Sequence, residues 1–205
     1  MTSKIWWFLC TLLLVFGLTN KGLAQKEKRF YGGVKLGLNL SQIDGDSVLG
    51  FDKLAYTGGF FTGFHVGKTS EIQLEFLYSL RGSKYTKRDL RPIKYNLEYI
   101  EVPLIFGFKD WLIEDDQHRY YRIHFQGGLS FGRLFRSSSY NKWDEEFEKN
   151  DLSWLLGFNY YFNYNLALNC RYTSSFTPLY RYTINGEEIK MISYFISLGL
   201  NYRFN

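Results

Sequence analysis

The chain has 205 residues, room for one ordinary domain and too few for two large ones. Aromatic residues make up 20 % of it and glycine takes 19 positions against 3 prolines, a balance that favours twisted strands over helices. The formal charge of +5 is not gathered into a Lys/Arg cluster of the kind that grips a phosphate backbone, which excludes nucleic acid as a partner.

Lys4 supplies positive charge, Ile5 to Leu18 form an uncharged, mostly apolar run, and Gly22, Leu23 and Ala24 offer a small-residue cleavage site. Residues 1–24 are therefore expected to be a secretory signal peptide, cut after Ala24. A retained transmembrane helix would need roughly 20 apolar residues, and this run is broken by Gly17, Thr19, Asn20 and Lys21. Cys10 sits inside the run and not after a small-residue site at its end, which argues against lipidation. Cys170 is then the lone cysteine of the mature chain, so neither an intramolecular disulfide nor a cysteine-based zinc site is expected.

Residues 25–205 read as one domain dominated by period-two alternation. In chain order, Phe30, Val34, Leu36, Leu38 and Leu40 oppose Tyr31, Lys35, Asn39 and Ser41; Phe60, Phe64 and Val66 oppose Gly59, Gly63 and His65. Ile72, Leu74, Phe76, Tyr78 and Leu80 then oppose Glu71, Gln73, Glu75, Ser79 and Arg81. Ile100, Val102, Leu104, Phe106 and Phe108 oppose Glu101, Pro103 and Lys109, with a bulge expected near Pro103 because proline removes a ladder donor. Tyr121, Ile123, Phe125, Leu129 and Phe131 alternate with Arg122, His124, Gln126 and Ser130. Leu152, Trp154, Leu156, Phe158 and Tyr160 are followed by Leu166, Leu168, Cys170 and Tyr172, the latter set against Asn169, Arg171 and Thr173. The last stretch sets Ile192, Tyr194, Ile196, Leu198, Leu200, Tyr202 and Phe204 against Ser193, Ser197, Gly199, Asn201 and Arg203.

These segments predict an all-β fold, an antiparallel up-and-down transmembrane barrel of about eight strands. The connections at 42–57, 83–95, 136–150 and 175–188 are long and those at 68–70 and 163–165 tight, the pattern of outer-membrane barrels with long loops outside the cell. A soluble periplasmic ligand-binding barrel also alternates, but turns its apolar face inward. Large apolar residues on every strand, a glycine-rich polar face, and aromatics near the turn ends favour the membrane. Those aromatics are Tyr31, Tyr120, Tyr121, Tyr160, Tyr161, Phe162, Tyr164, Tyr202 and Phe204, placed as a girdle in contact with outer-membrane lipid.

Three segments carry a resemblance to a known family: residues 33–41 (GVKLGLNLS), 73–82 (QLEFLYSLRG) and 97–104 (LEYIEVPL). They resemble the PorT-like outer-membrane β-barrel proteins of Bacteroidota. The resemblance implies a barrel in the bacterial outer membrane, and its namesake links the family to type IX secretion without marking this chain as an accessory of that apparatus. The aromatic C-terminal strand, ending Tyr202-Arg203-Phe204-Asn205, resembles the signal read by the barrel assembly machinery during biogenesis.

The predicted inner face carries Lys35, His65, Glu71, Glu75, Arg81, Glu101, Lys109, Arg122, His124, Arg171 and Arg203. An unpaired charge away from water costs several kcal/mol, so a structural ionic network of Lys35, Glu75, Glu101, Arg122, Arg171 and Arg203 is expected to fill the lumen, with glycines such as Gly37, Gly63, Gly128, Gly157 and Gly199 making room. His65, His118 and His124 lack an accompanying nucleophile elbow, so a lipid-modifying enzyme is the lesser reading and no catalytic residue or cofactor is expected. The histidines have no spacing that forces a metal site, and the acidic run of Asp144, Glu145, Glu146, Glu148 and Asp151 lacks the regular ligand spacing of a calcium loop. Tyr140, Trp143 and Phe147 form a candidate loop patch for an envelope protein partner. The sequence thus points to a small non-enzymatic barrel with an envelope structural or loop-mediated binding role.

Overall fold

The computed structural model describes residues 29–46, 50–84, 94–114, 119–139 and 143–204, and the expected signal peptide lies outside these. They form a closed antiparallel sheet of β1 (Phe30–Asp44), β2 (Lys53–His65), β3 (Ser70–Lys84), β4 (Lys94–Glu114), β5 (Arg119–Ser139), β6 (Asn150–Tyr161), β7 (Leu166–Ser175), β8 (Tyr180–Ile184) and β9 (Glu187–Arg203). Each strand pairs with the next as far as β7, which pairs with β9, and β9 closes the barrel on β1 from Gly33↔Arg203 to Asp44↔Ile192. Eight strands make the wall, as the alternation predicts.

The ninth element, β8, falls in the stretch expected to be a loop. It pairs only with the first residues of β9, from Tyr180↔Met191 to Ile184↔Glu187. Asn185 and Gly186 form the tip with φ of 53° and 87°, the paired left-handed residues that a two-residue hairpin requires. The hairpin extends the wall beyond the region that lipid covers.

The distribution of side chains is the reverse of a soluble barrel. Leu36 is 69 % exposed and Leu104 55 % exposed, while Lys35 and Glu75 are 1 % and 0 % exposed. Strands rise about 3.3 Å per residue, so nine to eleven tilted residues cross the hydrocarbon, and the 21 residues of β4 and β5 carry the wall well past it.

Two local expectations change. No bulge occurs at Pro103: Pro103↔Ser130 continues the ladder to β5, and the ladder to β3 skips the positions between Leu74↔Leu104 and Leu77↔Glu101 without shifting register. Losing one donor thus costs local pairing and leaves alignment intact. The register shift lies instead between Glu98 and Tyr99, where Glu98 faces Arg136 and Tyr99 faces Leu134, so Phe135 is the extra residue. The glycines also serve a different purpose from the one expected. A Cβ at Gly37, Gly128, Gly157 or Gly199 would strike a backbone carbonyl of the adjacent strand, and one at Gly63 would strike the Tyr31 ring. They permit close strand approach in a tightly curled wall more than they accommodate charges.

Two measurements check this arrangement. Gly128→Val is expected to abolish refolding into vesicles because Leu104 O blocks its Cβ, whereas Gly67→Val, with no atom within 4 Å of a Cβ, is expected to refold normally. Leu104→Arg is expected to lower the denaturant-derived stability by about 2–4 kcal/mol through arginine burial at the lipid face, and unchanged stability would invert the assigned face.

Candidate functional site: the ionic interior and the outer plug

Alternate residues of β3 place Glu71, Gln73, Glu75, Ser79 and Arg81 along the barrel interior, all buried, and each ionisable member anchors one cluster. Nearest the short turns, Glu71 meets His124 Nδ1 at 2.9 Å, His65 Nδ1 at 3.4 Å and Arg203 Nη2 at 3.9 Å. Arg203 also donates to the Tyr161 hydroxyl at 2.9 Å, and its guanidinium lies 4.1 Å from the Tyr31 ring centroid. Lys109 Nζ on β4 approaches His65 Nδ1 on β2 at 3.2 Å, across β3. Tyr31 and Tyr161 thus belong to the interior, not to the lipid girdle, because both are over nine-tenths buried against this cluster.

In the middle, Arg171 grips Glu75 with two nitrogens, each at 2.8 Å, the fork geometry that guanidinium and carboxylate share. Lys35 Nζ stands 3.6 Å from the same carboxylate, and Gln73 Nε2 donates to it at 2.7 Å. The Gln126 carbonyl accepts from Arg171 at 3.2 Å and from Asn169 at 3.3 Å, and Asn169 continues to Asn159 at 2.6 Å.

Toward the long loops, Arg81 donates to Glu101 at 2.8 Å through Nε and to Asp151 at 2.6 Å through Nη1, with Nη2 2.7 Å from the Glu101 carboxylate. The rings of Tyr99 and Phe195 lie 4.4 and 4.5 Å from the guanidinium, and Ser153 and Thr177 donate to the Asp151 carboxylate at 2.8 and 3.1 Å. Asp151 therefore acts inside the barrel and is not a member of an exposed acidic run. Its parity with Ser153 on β6 was the available signal.

Above Arg81 the interior turns apolar. Ile43, Tyr95, Leu97, Tyr99, Leu134, Phe147, Leu179 and Met191 form a buried cluster, with Tyr180 and Tyr182 packed on it. Phe147 is 4 % exposed, with its ring centroid 5.6 Å from Tyr95 and 6.2 Å from Tyr180, so it is not available as a loop contact. Its burial follows from the loop folding back, as Glu148 N donates to Leu179 O at 2.9 Å. Tyr140, the Trp143 side chain and His118 lie outside the described residues. On the outer hairpin, Tyr180 donates to Glu146 at 2.7 Å, and that carboxylate holds the phenol above its ordinary pKa.

Five of the six expected lumen residues, Lys35, Glu75, Glu101, Arg171 and Arg203, are interior and buried. The sixth, Arg122, is not among them. Its guanidinium lies over the rings of Trp111 and Tyr160, at 5.4 and 5.9 Å, on a rim where Trp111 is 53 % exposed. The alternation breaks here: Tyr121, expected outside, faces the interior Lys109 at 5.5 Å, and Trp111, opposite Arg122, is left-handed at φ 59°. A strand that passes through such a residue no longer keeps strict two-fold side-chain order.

The family model for the outer membrane protein beta-barrel domain matches residues 23–181. No curated protein matches the chain. Solved structures of similar shape include Ail, the attachment invasion locus protein of Yersinia pestis, at 15 % identity over 86 % of this chain and 100 % of that one, with TM-score 0.47. Neisserial surface protein A matches at 14 % identity over 86 % and 98 % with TM-score 0.45, and OprG from Pseudomonas aeruginosa at 13 % identity over 86 % and 94 % with TM-score 0.42. With more than half of its residues matched by the family model and its charges inside a greasy wall, the chain belongs to the outer membrane protein beta-barrel domain family and resides in the bacterial outer membrane.

Proposed function

We propose that this protein is a sealed, non-enzymatic barrel that serves the envelope as a rigid mount for its outer loops, which bind another envelope component. The observation that carries the reading is the succession of side chains across the interior: three paired-charge clusters on β3, then an apolar plug. Eight strands enclose a space that side chains can fill, so no aqueous path is left for transport. The interior histidines are consumed by structural contacts with Glu71 and aromatic rings, which supports a non-catalytic role. The 33–41, 73–82 and 97–104 segments support a place beside the PorT-like members, and biogenesis through the barrel assembly machinery fits the aromatic end of β9.

The outward features of the mount are the β8–β9 hairpin, which carries Ile184 at 50 % exposure, and the connection containing Glu146. A photo-cross-linking residue at Ile184 is expected to capture an envelope component in intact cells, whereas one at Phe106 on the lipid face is expected to capture none. Equal labelling from both positions would remove the loop role.

Purified protein in planar bilayers is expected to give no single-channel steps, and stable steps would replace the sealed mount with a transport function. Arg81→Ala should leave Glu101 and Asp151 facing each other without a cation, lowering stability by about 3–5 kcal/mol in a denaturant titration. A change under about 1 kcal/mol would show that the upper cluster is hydrated and the interior open.

A further inference from the structure

Arg122 poses a problem that the sealed interior does not solve. It sits at the short-turn rim, which in this family of folds is periplasmic, and it forms no ion pair with any carboxylate among the described residues. Of the described acids nearby, Asp110 accepts the Trp111 backbone N–H at 2.7 Å, and Glu114 pairs with Arg119 at 3.1 Å. Arg122 Nε is buried without a hydrogen-bond partner among the described residues. The Tyr120 and Tyr160 hydroxyls accept from the guanidinium, and Tyr120 in turn donates to Phe162 O at 3.4 Å.

The surroundings specify the missing anion. Trp111 is 53 % exposed and Phe162 51 % exposed, and Phe162 packs edge-on to Tyr160 with centroids 5.6 Å apart. Exposed rings of this kind at a barrel rim sit at headgroup depth, where their polar atoms stay wet and their faces meet acyl chains. Trp111 adopts a left-handed backbone, costly for a bulky residue, and in doing so lays its indole beside the cation. A planar cation held between rings at this depth, with Nε unpartnered and no carboxylate paired to it among the described residues, matches a phosphate diester, whose oxygens accept charge-assisted N–H bonds while its lipid tails run along the apolar wall.

We infer that Arg122, framed by Trp111 and Tyr160, is a binding site for the phosphate of a phospholipid in the periplasmic leaflet. The site fixes the barrel's depth at that rim and takes a ligand by its phosphodiester, with either a glycerol or an ethanolamine headgroup beyond it.

Native mass spectrometry of the folded protein released from detergent tests this with two lipids of identical tails, dioleoylphosphatidylglycerol and dioleoylglycerol. Wild-type protein is expected to retain the phosphatidylglycerol and shed the dioleoylglycerol, which shares the tails and lacks the phosphate. Arg122→Gln is expected to lower phosphatidylglycerol retention on the order of tenfold, the scale of one charge-assisted bidentate contact, and Arg122→Lys to recover only part of it. Arg119→Gln, on the same rim but paired with Glu114, is expected to retain lipid as wild type does. Equal retention of the two lipids by the wild-type protein overturns the site without any variant being needed. Equal loss in Arg122→Gln and Arg119→Gln also overturns it, by reducing the effect to general rim charge.

Discussion

The constraint that organises this molecule is the closed wall with lipid outside it. Once the outer face must be apolar, every polar residue that the alternation generates is forced into a narrow interior with little water. A charge there loses its hydration at a cost of several kcal/mol and recovers it only from an opposite charge in good geometry. The interior meets that demand by repetition along one strand: Glu71, Glu75 and Arg81 lie on the same face of β3, and each collects partners from across the barrel. Arg171 reaches Glu75 from β7, and Asp151 reaches Arg81 from β6, so the ion pairs tie together strands that share no ladder. The clusters are therefore cross-braces as much as fillers.

Aromatic rings complete what the carboxylates leave undone. Arg81 lies against Tyr99 and Phe195, and Arg203 against Tyr31 and Tyr161. A ring face offers negative potential without adding a second anion, which suits a cation with one or two carboxylates in a crowded space. This explains why large tyrosines stand on the polar face at both ends, where the ion pairs give way to an apolar plug. Tyr99 belongs to both layers: it touches the Arg81 guanidinium and joins the outer cluster.

Much of this is written in the period-two pattern because a closed sheet converts sequence parity directly into inside or outside. Lys35, Glu75, Glu101, Arg171 and Arg203 follow parity and are interior. The pattern is blind where the backbone leaves the extended region. Nothing in a tryptophan announces a left-handed conformation, so Arg122 opposite Trp111 escaped the parity rule. Phe147 was unreadable for another reason: its burial depends on Tyr95, Tyr180 and Leu179 from distant connections, and local sequence carries no such information. The β8 hairpin lies in the 175–188 stretch that reads as a long loop, although its Asn185-Gly186 pair is a two-residue turn signal.

The two outcomes for cationic side chains follow from the same physics. Inside, a guanidinium finds a carboxylate because folding must supply one, and the pair is fixed when the barrel closes. At the rim, lipid headgroups provide anions at no cost to the chain, so a cation there can be left without a protein carboxylate and still be neutralised. Arg203 and Arg122 illustrate the difference near the same end of the barrel. Arg203 is 7 % exposed, contacts Glu71 and donates to Tyr161, whereas Arg122 lies between rings of which one is half exposed. The wall thus sorts its arginines by which side supplies the counter-charge. That sorting makes the interior a fixed structural element and the rim a surface whose ionic contacts are set by the membrane.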